Sequence, residues 1–192
     1  MLIIFSAPSG AGKTTIARKM LRMFPSLRFS VSATTRPRRP AERDGVDYHF
    51  LTPEEFESTR LRNGFVEWEE VFGNHYGTLV SEIDAALRDS RHIVFDVDVK
   101  GALSLQRRYP DDSVLVFIQP PDKETLRTRL RNRHTDSDET IDHRLARVDW
   151  ELAQAGSFDY IVVNDDLQRS VPEVADIIRK VTGLVPSTTN AQ

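Results

Sequence analysis

Eight consecutive residues near the N-terminus, Ala7-Pro8-Ser9-Gly10-Ala11-Gly12-Lys13-Thr14, have the types and spacing to hold a chain of phosphates. Glycines at 10 and 12 let successive backbone N–H groups turn inward around phosphate oxygens, and a helix starting directly after them adds the positive end of its dipole. Lys13 then reaches the β and γ phosphates of a nucleoside triphosphate, and Thr14 offers a hydroxyl oxygen to Mg²⁺. The strict pattern asks for glycine at position 7, where this chain has alanine, and the remaining fixed positions fit. GTPases, ATPases and small-molecule kinases share such a loop, so it points to a triphosphate site without naming a reaction. Arginine supplies the second candidate chemistry. Arg36, Arg38, Arg39 and Arg43 fall within eight residues, and Arg127, Arg129, Arg131 and Arg133 alternate over seven. Clusters of this kind either bind anions or stand in solvent.

The elements that must position these groups follow from hydrophobic periodicity. An apolar run at 2–6, the Gly-rich turn, and Ile16, Met20 and Phe24 at helical spacing up to Pro25 read as strand, loop and helix. The alternation returns with strands at 92–98, 113–119 and 159–164, separated by a helix over about 101–108 and another after Asp122. Four apolar strands separated by helices predict an α/β fold of the P-loop NTPase type, a parallel sheet flanked by helices. The last helix is predicted to open at Ser170, with Glu173 completing a capping box, and to run to about Val181 before a frayed tail at 186–192.

Two stretches interrupt this rhythm. Between Phe29 and Leu79 short alternating segments at 29–33, 47–51 and 65–71 surround one helix, opened by Thr52, Pro53 and Glu55 and stopped at Gly64. This predicts an inserted mixed α+β subdomain. From Arg133 to about Thr140 the chain is polar and poor in apolar residues, which predicts a mobile lid.

The chain has 192 residues, a length that suits one domain with insertions. It has no cysteine, which excludes thiolate nucleophiles, zinc–thiolate sites and redox motifs and suits a reducing cytoplasm. Lys plus Arg total 26 and Asp plus Glu 29, a net charge of -3, so it is no bulk polycation of the kind that coats nucleic acid. The N-terminus has neither the basic flank nor the apolar core of a signal peptide, and no apolar run is long enough to span a bilayer. A cytoplasmic location is expected.

After the arginine cluster the motifs become specific. Ser30-Val31-Ser32-Ala33-Thr34-Thr35-Arg36-Pro37-Arg38-Arg39 is followed by Asp44-Gly45-Val46-Asp47-Tyr48-His49-Phe50 and Phe65-Val66-Glu67-Trp68. Then come Gly73-Asn74-His75-Tyr76-Gly77-Thr78, Asp96-Val97-Asp98 and Val163-Asn164-Asp165-Asp166. In order and spacing these resemble the guanylate kinase family over about residues 2–181. The resemblance implies transfer of the ATP γ-phosphoryl group to GMP, and to dGMP, with Mg²⁺. It makes the inserted stretch, about 31–79, the GMP-binding part and about 123–150 the lid. The core would be about 1–30, 80–122 and 151–184, and the tail 185–192.

The roles implied residue by residue agree with elementary chemistry. Arg36, Arg39, Tyr48 and Tyr76 correspond to ligands of the GMP phosphate, and planar guanidinium forks beside phenol hydroxyls suit a phosphate dianion. Glu67 and Asp98 correspond to acceptors for the guanine N1–H and N2–H₂ donors, with Ser32 and Thr78 on the remaining base edge. Adenine lacks that donor pair, so each carboxylate left without a donor costs about 1 to 3 kcal/mol. Singly, Glu67 reads as the solvent face of a strand and the arginine run as a solvated loop. Their joint occurrence in family order reverses that. Lys13 serves the donor phosphates, Arg133 and Arg144 resemble lid arginines, and Asp96 resembles a carboxylate that holds a metal-bound water. GMP is already mostly dianionic at pH 7, so no general base is required. Positioning and cation placement carry the catalysis.

Three departures stand out: His134 where glycine is usual, Lys100 where glutamine is usual, and His75 for a common tyrosine. None removes a group the chemistry requires. The histidines at 49, 75 and 92 do not form a metal cluster by spacing, and Trp68 and Trp150 read as packing residues. Two rival readings are a non-catalytic interaction module and a related kinase with another small phosphorylated acceptor. The intact phosphate loop opposes the first and the guanine-side residues oppose the second.

Overall fold

The computed structural model describes residues 1–71, 73–131 and 138–187, with the side chains of Val71 and of 138–145 outside that description. Five strands form one parallel sheet in the order β2 (Leu27–Phe29), β7 (His92–Asp96), β1 (Leu2–Ser6), β8 (Ser113–Gln119), β9 (Tyr160–Val163). The inner strands β7, β1 and β8 read as apolar runs because both faces are covered, whereas the edge strands β2 and β9 leave Phe29, Ile161 and Val163 exposed. Ile3, Phe5, Val94, Val116, Ile118 and Val162 point to one face. There they pack against Ile16 and Met20 of α1 (Lys13–Met23) and Val174 and Ile178 of α7 (Leu167–Thr182). Leu2, Ile4, Ile93, Phe95, Leu115 and Phe117 point to the other. Their partners are Ile83 of α3 (Val80–Arg88) and Ala102 and Leu105 of α4 (Val99–Arg108).

A second, four-stranded sheet has the order β4 (His49–Phe50), β3 (Ala33–Thr34), β6 (Asn74–Leu79), β5 (Phe65–Val71). Its β3–β4 pair is parallel and the other two pairs are antiparallel. Helix α2 (Pro53–Leu61) closes it through Phe56, which is buried and stacked on Phe65 with ring centroids 4.3 Å apart. Its start is the capping box of Thr52 and Glu55, each bonded to the other's backbone N–H. Helices α5 (Lys123–Arg131) and α6 (Asp138–Ala153) lie before β9.

The sequence pattern does not show β6 or α3, α2 ends at Leu61 and not at Gly64, and three further differences have a local cause. A fifth core strand, β2, precedes β3; at three residues it is too short to show a period. Strand β7 stops at Asp96, and Asp98 is instead the N-cap of α4, accepting from the Gly101 N–H at 2.8 Å. Helix α7 starts three residues ahead of Ser170, because Asp166 caps it by accepting from Gln168 N–H at 2.9 Å. Ser170 is fully buried inside the first turns. Among the described residues no helix is long and apolar enough to cross a membrane.

Candidate active site

The phosphate loop leaves the C-terminal end of β1, the middle strand of the parallel sheet, and runs straight into α1. Gly10 has φ +91° and Gly12 has φ +95°, both in the left-handed region that side chains avoid. Non-glycine residues with positive φ are confined, among the described residues, to Asn63 and Ser90. Alanine is therefore accommodated at position 7 without strain. The outer side of the loop is held by Asn164, which follows β9 and is buried. Its Nδ2 donates to the Ala11 carbonyl at 2.7 Å, and its Oδ1 accepts from the Ser170 hydroxyl at 2.8 Å. The family motif containing Asn164 thus acts here by fixing the shape of the loop.

Register sets the other side. Strands β1 and β7 are adjacent, with Phe5 opposite Asp96, so the carboxylate that ends β7 faces the loop. Lys13 Nζ lies 2.7 Å from Asp96 Oδ1 and donates to the Val97 carbonyl at 2.5 Å. The Thr14 hydroxyl donates to Asp96 Oδ2 at 2.7 Å. The two loop side chains thus converge on one carboxylate. Its oxygens and the hydroxyl are hard donors of the kind Mg²⁺ takes. Among the described residues no three His, Cys, Asp or Glu side chains gather to hold a metal.

Two cavities meet here. One, about 380 Å³, is lined by the loop with Asp96, Asp98, Arg147 and Glu151. The second, about 440 Å³, is lined by Ser32, Tyr48, Glu67, Tyr76 and Asp98 among others. Glu69, Asp96 and Asp98 belong to both, so the cavities share a wall. A third, about 370 Å³, opens on the other side of the loop against Arg129, Asn164, Asp165 and Leu167. Arg129 donates to the Asn164 carbonyl there at 3.0 Å.

In the second cavity Glu67 projects from β5, and Thr78 on the neighbouring β6 donates its hydroxyl to Glu67 Oε1 at 2.5 Å. Burial pushes the Glu67 carboxyl above the usual glutamate range, the Thr78 bond opposes this, and the charges of Glu69 and Asp98 push it further up. Arg36 Nη2 lies 2.7 Å from Glu42 Oε1, and its guanidinium carbon is 5.5 Å from the Tyr48 ring centroid. Tyr48 meets Tyr76 edge-on with centroids 6.1 Å apart. Glu42 also accepts from the Arg39 backbone N–H at 2.8 Å. The Arg36 bond, followed by the Arg39 N–H, holds the Glu42 carboxyl below its usual range. Arg39 is exposed, and neither it nor Arg36 is among the residues that line the second cavity. Arg133, and the side chain of Arg144 on α6, lie outside the described residues.

The sequence reading missed Glu42, Arg147 and Glu151 as site residues. Arg147 and Glu151 carry one legible signal, opposite charges four apart on a helix. Glu42 carries none beyond proximity to the arginines.

The raised Glu67 pKa has a consequence for stability. A carboxyl whose folded pKa is raised contributes stability present below its unfolded pKa and lost as pH rises through the folded one. Glu67→Gln removes that loss and keeps the shape. It is expected to raise Tm at pH 8 and to raise it less at pH 4, measured by calorimetry at both pH values. A Tm difference independent of pH would contradict the burial of an ionised Glu67.

A phosphate loop at the end of the middle parallel strand, facing a strand-end carboxylate on the adjacent strand, defines a P-loop nucleotide-binding protein. The family model for guanylate kinase matches residues 1–181, and the chain belongs to that family. It is 53% identical over 174 residues to the guanylate kinase of Chlorobaculum tepidum, covering 91% of this chain and 89% of that one. It is 50% identical over 173 residues to the guanylate kinase of Chlorobium luteolum, covering 90% and 88%. The crystal structure of guanylate kinase from Anaplasma phagocytophilum superposes with a TM-score of 0.69 at 27% identity, covering 95% of this chain and 86% of that one.

Proposed function

We infer that the chain is an ATP:GMP phosphotransferase, moving the γ-phosphoryl group of ATP to GMP and dGMP and working in both directions. The observation that carries this is the shared wall. The cavity lined by the phosphate loop and the cavity lined by Glu67 and Tyr76 meet at Asp96 and Asp98. Donor and acceptor phosphates bound in the two would meet at that wall, as direct transfer requires.

In this reading residues 7–14 wrap the ATP phosphates with backbone N–H groups, and Lys13 supplies a cation to the transferring group. Thr14 and Asp96 would hold Mg²⁺, and Lys13, now paired with Asp96, would turn to the donor phosphates. When bound, the ion would supply positive charge against the phosphate oxygens. Arg36, Arg39, Tyr48 and Tyr76 take the GMP phosphate, displacing Glu42 from Arg36. Glu67, Asp98, Ser32 and Thr78 take the guanine edge. The third cavity, with Arg129 over backbone carbonyls and Leu167 beside it, suits the adenine of ATP. Arg133 and Arg144 close on the phosphates from the lid, about 123–150, and the stretch about 31–79 is the acceptor-binding part of the domain. GMP attacks with an oxygen that is already anionic, so repulsion between polyanions is the barrier these cations lower. A cysteine-free chain of this activity suits the cytoplasm.

The test is ADP formation, coupled to a spectrophotometric readout, with GMP, AMP, CMP, UMP and a ribose phosphate as acceptors. Turnover with GMP far above the rest is expected, and it must require Mg²⁺. Equal turnover of AMP and GMP would overturn the assignment.

A further inference from the structure

We propose that Arg147 is a positioning residue for Asp98, setting acceptor choice from helix α6; this rests on the reading of Asp98 as a guanine ligand.

Asp98 has two duties in this fold. Its Oδ1 caps α4 by accepting from the Gly101 N–H at 2.8 Å. Its Oδ2 lies 3.5 Å from Arg147 Nη2, across 49 positions of sequence. With one oxygen fixed by the helix end and the other drawn by a guanidinium, the carboxylate has a defined plane. A base donor approaching it meets Oδ2 already turned outward from the cap.

The surroundings explain why a cation is needed. A further cavity on the far side of Glu67 is lined by Glu67, Glu69 and Asp98, three carboxylates that repel one another. Arg147 and Lys100 are the cationic side chains that line it. Lys100 stands only two residues from Asp98, yet its ammonium lies 5.8 Å from the ring centroid of Trp150, the residue three past Arg147 on α6. That contact draws Lys100 onto α6 and leaves Arg147 as the cation on Asp98. Arg147 also lines the loop cavity together with Glu151, which is 7% exposed. It therefore stands where the donor cavity and the acidic cluster meet, and the geometry assigns it to the acceptor side through Asp98.

The Arg147 and Asp98 side chains are 60% and 46% exposed, and so open a pair is worth up to about fivefold in binding. Arg147→Ala is expected to raise KM for GMP about three- to fivefold and to lower the preference for GMP over AMP by the same factor. Its KM for ATP and its kcat are expected to change by a smaller factor than its KM for GMP. Arg147→Lys is expected to recover part of the loss, because a cation returns without the planar fork. The decisive measurement is a double-mutant cycle with Asp98→Asn. If Arg147 acts through Asp98, Arg147→Ala adds nothing in the Asp98→Asn background. The proposal is overturned if the two effects multiply, if Arg147→Ala leaves GMP unaffected, or if it shifts KM for ATP instead. Asp98→Asn with unaltered GMP affinity would remove the base-site reading itself and this proposal with it, a failure recognisable from the single mutant alone.

Discussion

Lys13→Ala is expected to lower kcat by about 10²- to 10⁴-fold, with KM for GMP little changed, since a preorganised cation on a transferring phosphoryl group is worth that much. The side chain ends 2.7 Å from Asp96 Oδ1 and 2.5 Å from the Val97 carbonyl, beside the wall shared by the two cavities, from which it would turn to the donor phosphates. Its loss removes charge that matters most in the transition state and little in acceptor binding. Asp96 keeps the Thr14 hydroxyl as a partner, so the fold survives with a loss of about 1 to 3 kcal/mol. Steady-state kinetics with a parallel thermal melt separates the two effects. A folded Lys13→Ala protein with near wild-type kcat would show that the loop does not bind the transferring phosphate.

Gly12→Ala is expected to be the most damaging change to stability among the loop positions, at about 2 to 5 kcal/mol. Two costs add. A side chain at φ +95° is strained by about 1 to 2 kcal/mol, and a Cβ there would lie 2.3 Å from Asn164 Nδ2. Asn164 is buried and holds both Ala11 and Ser170, so moving it leaves buried polar groups unpaired at about 1 to 3 kcal/mol. For a chain of this size that corresponds to a Tm drop of about 10 °C. ATP binding is expected to weaken more than GMP binding, because the displaced N–H groups belong to the donor cavity. Gly156→Ala, where a Cβ meets no atom within 4 Å and φ is not in the positive region, is the control and is expected to be close to neutral. A Gly12→Ala melt superposing on wild type would contradict the loop anchoring.

How far these features can be read from sequence depends on whether they are contiguous. The phosphate loop is eight neighbouring residues, and β1 and β8 are apolar runs buried on both faces, so each is visible locally. Strand β2 is not, because three residues on the edge of a sheet show no period. The start of α7 is masked by Ser170 and Glu173, which imitate a cap, while Asp166 supplies the actual one. The pairings that shape the site are the least visible. Glu67 with Thr78 depends on the register of β5 against β6, and Asp98 with Arg147 joins residues 49 apart. Glu67 and Thr78 came forward through family motifs, which carry that register implicitly. Arg147 and Glu42 belong to no quoted motif role, and only the fold brings them to the carboxylate and the guanidinium they meet.

The most direct measurement is the ratio of kcat/KM for GMP to kcat/KM for AMP, in the wild type and in Glu67→Gln. Two carboxylates matched to guanine donors predict a wild-type ratio of about 10³ or more. In Glu67→Gln the amide replaces an acceptor-only group with one that also presents a donor, and the ratio is expected to fall by about 10- to 100-fold while KM for ATP holds. A wild-type ratio near one, or a Glu67→Gln protein that loses ATP affinity and keeps its preference for GMP, would contradict the assignment of the acceptor cavity.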